Sequence, residues 1–233
     1  MADKKIEKAL YGPSLTEVAL GAVLGLVAGV LVACVYLVFK PVMPVKEIPK
    51  EPVRGVIYFL PGGEASSKSR TWTDKQKQFI AGKSVTVVED ELNAWAVSAF
   101  AASATPASAP KAGDKPAASP SGLNGIFNPG TPNFKISGGK MQIGLKCILN
   151  WYGLTKEVMV VSTGEMVKSG DTFVYSAQTL YLGSCPVHLL PVVAGPLAST
   201  LIEKKKAPDA VNSAWAKLTD VKIEGNTLQL IVQ

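Results

Sequence analysis

The side chains able to do chemistry are few and scattered. His188 is the sole histidine among 233 residues, so metal sites built on two imidazoles are excluded and relay catalysis has a single candidate base. It lies in Cys185-Pro186-Val187-His188-Leu189-Leu190. Cys185 and His188 would act as nucleophile and base only if the turn aimed them at each other, and an apolar loop containing proline gives no reason for that. Gly62-Gly63-Glu64-Ala65-Ser66-Ser67-Lys68-Ser69 approaches the phosphate-binding loop pattern. The glycine required before the lysine is Ser67, however, and Trp72 follows where an apolar helix should begin. Glu89-Asp90-Glu91 offers consecutive carboxylates, whose simpler role at a helix start is to meet unpaired N–H groups and the positive end of the helix dipole. Asn93 can hydrogen-bond back into the fold. The sequence therefore predicts no enzyme, no metal site and no cofactor.

Of the cysteines, Cys34 sits within an apolar run. That leaves Cys147 and Cys185 as the pair available for a disulfide if the domain lies in an oxidising compartment. Two small buried thiols are the other reading.

These groups hang on a chain whose most legible element is Val18–Phe39, VALGAVLGLVAGVLVACVYLVF, which carries no charge. At roughly 1.5 Å per residue it rises about 33 Å, enough to cross a hydrocarbon core of about 30 Å. Glu17 and Lys40 bracket it, and Tyr36 is an aromatic near one interface. A transmembrane helix is expected here. Gly21, Gly25, Gly29 and Ala33 recur every fourth residue and form a smooth stripe suited to close packing with another helix, in a homo- or hetero-oligomer. Leu31-Val32-Ala33-Cys34 resembles the lipobox at which bacterial lipoproteins are cleaved and acylated. Because Val-Tyr-Leu-Val-Phe continues the apolar run after Cys34, where a lipoprotein passes into a polar tether, the spanning reading is preferred. Lys40, Lys46, Lys50 and Arg54 slightly outnumber Lys4, Lys5 and Lys8, which opposes an inside N-terminus by the positive-inside count. A lone N-terminal apolar helix nevertheless acts as an uncleaved export signal, so the expected place is the inner membrane with the C-terminal domain on the periplasmic side.

The chain then divides into a tail (1–17), the transmembrane helix (18–39), a stalk with four prolines (40–53) that lifts the rest off the bilayer, and one extramembrane domain (54–233). Within the domain, residues 101–122 are almost wholly Ala, Pro, Ser, Lys and Gly and read as a flexible insertion. Residues 55–60 and 84–88 read as strands, and residues 73–82 and 89–100 as helices. In the second helix Leu92, Trp95, Ala96, Ala99 and Phe100 form an apolar stripe. Met141, Ile143, Leu145, Cys147, Leu149 and Trp151 alternate with mostly small or polar residues, the period of a half-buried strand. Two long strands follow at 156–166 and 172–182. Residues 191–206 and 208–217 read as helices, the second with Trp215 inward, and 221–232 as a hairpin around Glu224-Gly225-Asn226. The fold class is α+β: an N-terminal transmembrane helix followed by a long-stranded, curved antiparallel sheet packed on one or more helices.

Formal charge is +6, spread along the chain with Lys204-Lys205-Lys206 as the longest basic run. No basic surface interleaved with aromatics is legible, so nucleic acid is not an expected partner. The bilayer is.

Val85-Thr86-Val87-Val88-Glu89-Asp90-Glu91-Leu92-Asn93, and later Tyr181-Leu182-Gly183-Ser184-Cys185-Pro186 leading through Pro191 into a helix, resemble small membrane-anchored bacterial envelope domains of the tubular-lipid-binding-like kind over about residues 84–205. The Ala/Pro-rich insertion departs from that pattern. The resemblance implies a curved sheet wrapping a helix, with an apolar groove able to hold an acyl chain. The lining expected for such a groove is Leu92, Trp95, Met141, Ile143, Leu145, Leu149 and Trp151; the same residues would equally build a filled core. The reading is a non-enzymatic, membrane-anchored envelope domain binding lipid or another apolar ligand. The alternative is a structural subunit of a membrane complex, docking through the glycine stripe and the extramembrane domain.

Overall fold

The computed structural model describes residues 12–63, 69–101, 127–151, 153–190, 194–195 and 209–232, without the side chains of residues 69, 100, 101, 127 and 151. It is an α+β structure with one long apolar helix at its start. Helix α1 (Leu15–Phe39) begins three residues before the expected Val18, because Ser14 and Glu17 form a reciprocal capping box. Glu17 N–H donates to Ser14 Oγ at 3.3 Å, and Ser14 N–H donates to Glu17 Oε2 at 3.2 Å. From Leu15 to Ala33 every side chain is exposed and almost every one is apolar. This is one helix long and apolar enough to cross a bilayer.

The end of α1 is clasped by the domain. Cys34, Leu37 and Val38, at spacings i, i+3 and i+4, are partly covered while their neighbours stay exposed. Ser184 N–H donates to the Leu37 carbonyl at 2.9 Å, satisfying one of the orphan acceptors of a helix C-terminus. Ser184 Oγ donates to the Lys40 carbonyl at 3.3 Å. Gly183 makes the approach possible: its φ is +58°, and a Cβ there would collide with the Val38 carbonyl.

The proline-rich segment does not run outward as a spacer. Strand β1 (Met43–Pro44) pairs in parallel with β2 (Tyr58–Phe59), with Met43 N–H to the Ile57 carbonyl at 2.9 Å and Val45 N–H to the Phe59 carbonyl at 2.8 Å. Val42 and Phe59 are buried against Val161 on one face of the main sheet. Gly144 lies beneath the Phe59 ring, where a Cβ would overlap the aromatic carbons. Burying Val42 and Phe59 outweighs the extended preference of the prolines, and the domain sits against the helix end.

Beyond this junction, α2 (Ser69–Ile80) starts four residues before the expected Thr73 and closes with a Schellman motif. There Lys83 N–H reaches the Gln78 carbonyl and Gly82 N–H the Phe79 carbonyl. Strand β3 (Val85–Val88) runs directly into α3 (Glu89–Ala101). The main sheet has five antiparallel strands in the order β4 (Phe127–Ser137), β5 (Lys140–Trp151), β6 (Leu154–Ser169), β7 (Thr172–Leu182) and β8 (Cys185–Pro186), and it is curved. After a 3₁₀ turn (Val187–Leu189) and α4 (Asp209–Trp215), β9 (Leu218–Glu224) and β10 (Thr227–Val232) form the expected hairpin. β10 pairs with β3 as well, giving a second sheet in the order β3-β10-β9 that joins the first part of the domain to its end.

Strand β4 was not expected. Pro129 and Pro132 argue against a strand, yet they are tolerated because β4 is an edge, and the register shifts between them. Apart from Ala101, the 101–122 insertion lies outside the described residues, as does almost all of the helix expected over 191–206.

Candidate functional site

The carboxylates and amide at the start of α3 are structural. Val88 is the N-cap residue, and Glu91 at N3 reaches back to accept its N–H at 3.0 Å; Lys75 from α2 pairs with the same Oε2 at 2.7 Å. Glu89 accepts from Gly63 N–H at 2.8 Å, from Ile136 N–H at 2.9 Å and from Lys135 Nζ at 3.2 Å. Asn93 binds Phe134 twice: Phe134 N–H donates to Oδ1 at 2.7 Å, and Nδ2 donates to the Phe134 carbonyl at 3.0 Å. Residues 134 and 136 carry outward-facing groups of the edge strand β4. The side chains of α3 thus satisfy backbone that would otherwise be a bare sheet edge. Gly62 and Gly63, the glycines of the loop resembling a phosphate cradle, belong to this clasp. A Cβ on Gly62 would strike the Phe134 carbonyl, and one on Gly63 the Asp90 carboxylate.

Cys185 and His188 do not form a nucleophile–base pair. His188 Nδ1 sits 3.1 Å from the Leu180 carbonyl and 3.3 Å from its N–H, and the ring packs edge-on against Tyr181 at 5.3 Å between centroids. Cys185 is a free thiol, so the Cys147–Cys185 disulfide is not formed. Its thiol neighbour is Cys34 of α1. Burial, reinforced by Cys34, pushes the Cys185 thiol up to about 11. Among the described residues no group of three His, Cys, Asp or Glu side chains is placed to hold a metal.

One face of the main sheet carries two apolar clusters along the length of its strands. The one nearer α1 comprises Cys147, Leu149, Val158, Val160, Leu180, Leu182 and Val187, with Val38 and Leu145 packed against it. Leu145, Leu149 and Cys147 therefore belong to a separate buried cluster, and among the described residues the end of α1, the turn at Val187 and Ala194 pack on it.

The second cluster, farther from α1, lines a half-open cavity of about 470 Å³, inside the range of about 300–1,000 Å³ typical of small-molecule pockets. Four of the seven expected lining residues meet there: Leu92 and Trp95 from α3, Met141 and Ile143 from β5. Trp151 ends β5, and its side chain lies outside the description. Sequence reasoning did not assign the rest of the wall. Helix α2 contributes Trp72, Gln76 and Phe79 at i, i+4 and i+7, an amphipathic stripe whose first member preceded the expected helix start. Phe173 and Tyr175 from β7 and Phe134 from β4 line it as well. The alternation Phe173–Tyr175 was a usable signal; Phe134 was hidden by its neighbouring prolines. Val211 and Trp215 of α4, with Leu228 and Leu230 of β10, close the remaining side.

Aromatic contacts hold these walls apart. Trp72 and Trp95 ring centroids are 5.9 Å apart, Trp95 and Phe134 6.3 Å, and Phe79 meets Trp215 edge-on at 6.3 Å. Trp215 Nε1 donates to the Phe173 carbonyl at 2.8 Å, fixing α4 to β7. The Tyr175 hydroxyl reaches Ser162 Oγ at 3.0 Å and the Met141 carbonyl at 3.2 Å, and burial raises its pKa. Among the described residues the lining includes no Asp, Glu, Lys, Arg or His. Such a chamber suits shape-matched apolar binding, with little means to hold a charge. Compared with protein-family models, curated proteins and solved structures, the chain matches none.

Proposed function

We propose that this protein is a membrane-anchored envelope component whose α+β domain, on the exported side, holds an apolar ligand such as a lipid acyl chain between the main sheet and helices α2, α3 and α4. The observation that carries this reading is the cavity of about 470 Å³ with an apolar wall. A core of this composition would ordinarily close to crystal-like density, and an apolar wall left half open gains dispersion contacts from an apolar occupant. Native mass spectrometry of the full chain released from mild detergent, with extraction and identification of retained lipid, tests it. Wild type is expected to retain an acyl compound. Ile143→Trp, which projects into the cavity, is expected to lose most of it, whereas Leu145→Met in the cluster nearer α1 keeps it. Wild-type protein free of any apolar compound overturns the reading.

A second reading, a subunit of a membrane assembly, is favoured by one observation. Gly21, Gly25 and Gly29 each have open space where a Cβ would stand, so the stripe is available to a second helix. Disulfide crosslinking through cysteines introduced at Gly21 and Gly25 is expected to give one discrete product if the stripe packs, and no product if it faces lipid alone.

A further inference from the structure

Only Lys40, Pro41 and Val42 separate α1 from β1, and β2 runs alongside β1 in the same direction. Parallel strands cannot be joined by a hairpin, so the chain between them must come back to the level from which β1 set out. A direct contact marks that return: Lys40 Nζ donates to the Gly55 carbonyl at 2.5 Å. Residues Val53 to Val56 form a turn there, with Val56 N–H on the Val53 carbonyl at 3.3 Å. Gly55 has φ +74°, the left-handed third position of a type II turn. Val53 N–H donates to the Tyr58 hydroxyl at 3.1 Å. The turn is thus tied both to β2 and to the residue that closes α1.

Its depth follows from the helix. The 25 residues of α1 rise about 37 Å, more than a hydrocarbon core of about 30 Å and less than the about 40–45 Å that includes both headgroup layers. The last turn of a spanning α1 therefore stands among headgroups. Tyr36, whose carbonyl accepts the Lys40 N–H at 3.1 Å, is 69% exposed and is the aromatic suited to that depth. Every residue from 46 to 55 is exposed. Ile48 and Val53, 60% and 63% exposed, alternate with Lys46, Lys50 and Arg54, for which no ion-pair partner stands among the described residues. Glu47 and Glu51 are the only acids between Lys40 and Arg54. Apolar side chains set between cations suit the boundary where acyl chains meet phosphates.

Resting on α1 as a membrane span, we infer that the exposed 46–55 segment is a second, peripheral contact with the same bilayer, in which Val53 enters the headgroup boundary and Lys50 and Arg54 meet the phosphates of anionic phospholipid. The helix end and this foot together fix the orientation of the domain to the membrane plane.

The test places the photocrosslinker p-benzoylphenylalanine in the full chain, one site at a time, as Leu26→p-benzoylphenylalanine within α1, Val53→p-benzoylphenylalanine in the turn and Asp171→p-benzoylphenylalanine at the opposite end of β7 from Gly183. Each protein is irradiated in nanodiscs of phosphatidylcholine mixed with phosphatidylglycerol of the same acyl chains, and lipid adducts are identified by mass spectrometry. Adducts at Leu26 report the composition of the bilayer. At Val53, phosphatidylglycerol is expected to be enriched about fivefold over that reference, the attraction that one basic side chain supplies near an anionic surface. Lys50→Gln combined with Arg54→Gln is expected to abolish the enrichment. So is salt at about 1 M, where the screening length falls to about 3 Å, and this arm needs no variant of the basic residues. Lipid adducts at Leu26 but none at Val53 overturn the inference and leave the membrane anchor standing. Adducts at Val53 without enrichment, or an equal yield at Asp171, overturn it as well. No lipid adduct at either Leu26 or Val53 overturns the anchor and the foot together.

Discussion

The two clusters on one face of the main sheet share strands and hydrophobic alternation along β5, yet the cavity of about 470 Å³ lies against the one farther from α1. Met141 and Ile143 line it, whereas Leu145, Cys147 and Leu149 belong to the other cluster. What differs is the covering. Near α1, among the described residues, the cluster is covered by Val38, Val187 and Ala194. At the far end it is covered by helices α2, α3 and α4 and a second sheet, which meet through the Trp72–Trp95–Phe134 and Phe79–Trp215 contacts. Bulky planar rings that satisfy one another cannot also fill the centre. One face of one sheet thus carries one cluster against the end of α1 and another, beside the cavity, away from it.

The largest effect that could break this contrast is a matched pair of truncations. Leu182→Ala in the cluster nearer α1 is expected to lower unfolding free energy by about 2–5 kcal/mol, because the side chain is buried among apolar neighbours. Ile143→Ala is expected to lose clearly less, since one side of that residue already faces the chamber. Urea unfolding of the full chain, followed by tryptophan fluorescence, measures both. Equal losses would mean that the far end is as closed as the near one.

A smaller effect concerns what keeps the far end in shape. Asn93→Ala strips the edge strand β4 of both bonds at Phe134. The expected loss is about 1–3 kcal/mol, accompanied by faster hydrogen exchange at the Phe134 and Ile136 amides and unchanged exchange in β6. Protection that persists at Phe134 would sink the assignment of α3 as the cover of that edge.

The smallest effect sharpens the near end. A thiol held neutral by burial favours the folded form fully below the ordinary thiol range, about pH 8.5, and that contribution fades as pH rises toward about 11, the value at Cys185. Alkylation of Cys185 at pH 8 is therefore expected to be slower than that of an exposed cysteine and to accelerate up to about pH 11. The junction between α1 and the domain, followed by exchange at the Ser184 amide, is expected to loosen over the same interval. A Cys185→Ala variant should lose that pH dependence. Rapid alkylation at pH 8 would contradict the burial.

How far the sequence could be read depended on whether a residue's role was local. The Glu89–Asn93 segment was legible as a helix start because capping uses neighbours, but its second task, covering β4, was not: Gly63, Phe134 and Ile136 are 26 to 47 positions away from Glu89 and Asn93. The cavity was half legible. Alternation in β5 and the stripe on α3 named Met141, Ile143, Leu92 and Trp95, since periodicity tells which face is inward. It does not tell which partner that face meets, so Leu145 and Leu149 were grouped with them although they pack elsewhere.

By itself, the sequence determined the long uncharged helix, the α+β class, the long strands and the closing hairpin, because each follows from a run or a period within a short stretch of chain. Tertiary structure alone decided that the proline-rich segment pairs beside Phe59, that Cys185 neighbours Cys34, and that the cavity lies against the end of the sheet face farther from α1. These outcomes depend on which distant side chains arrive at the same place, and on whether their volumes fit the space between the elements that carry them.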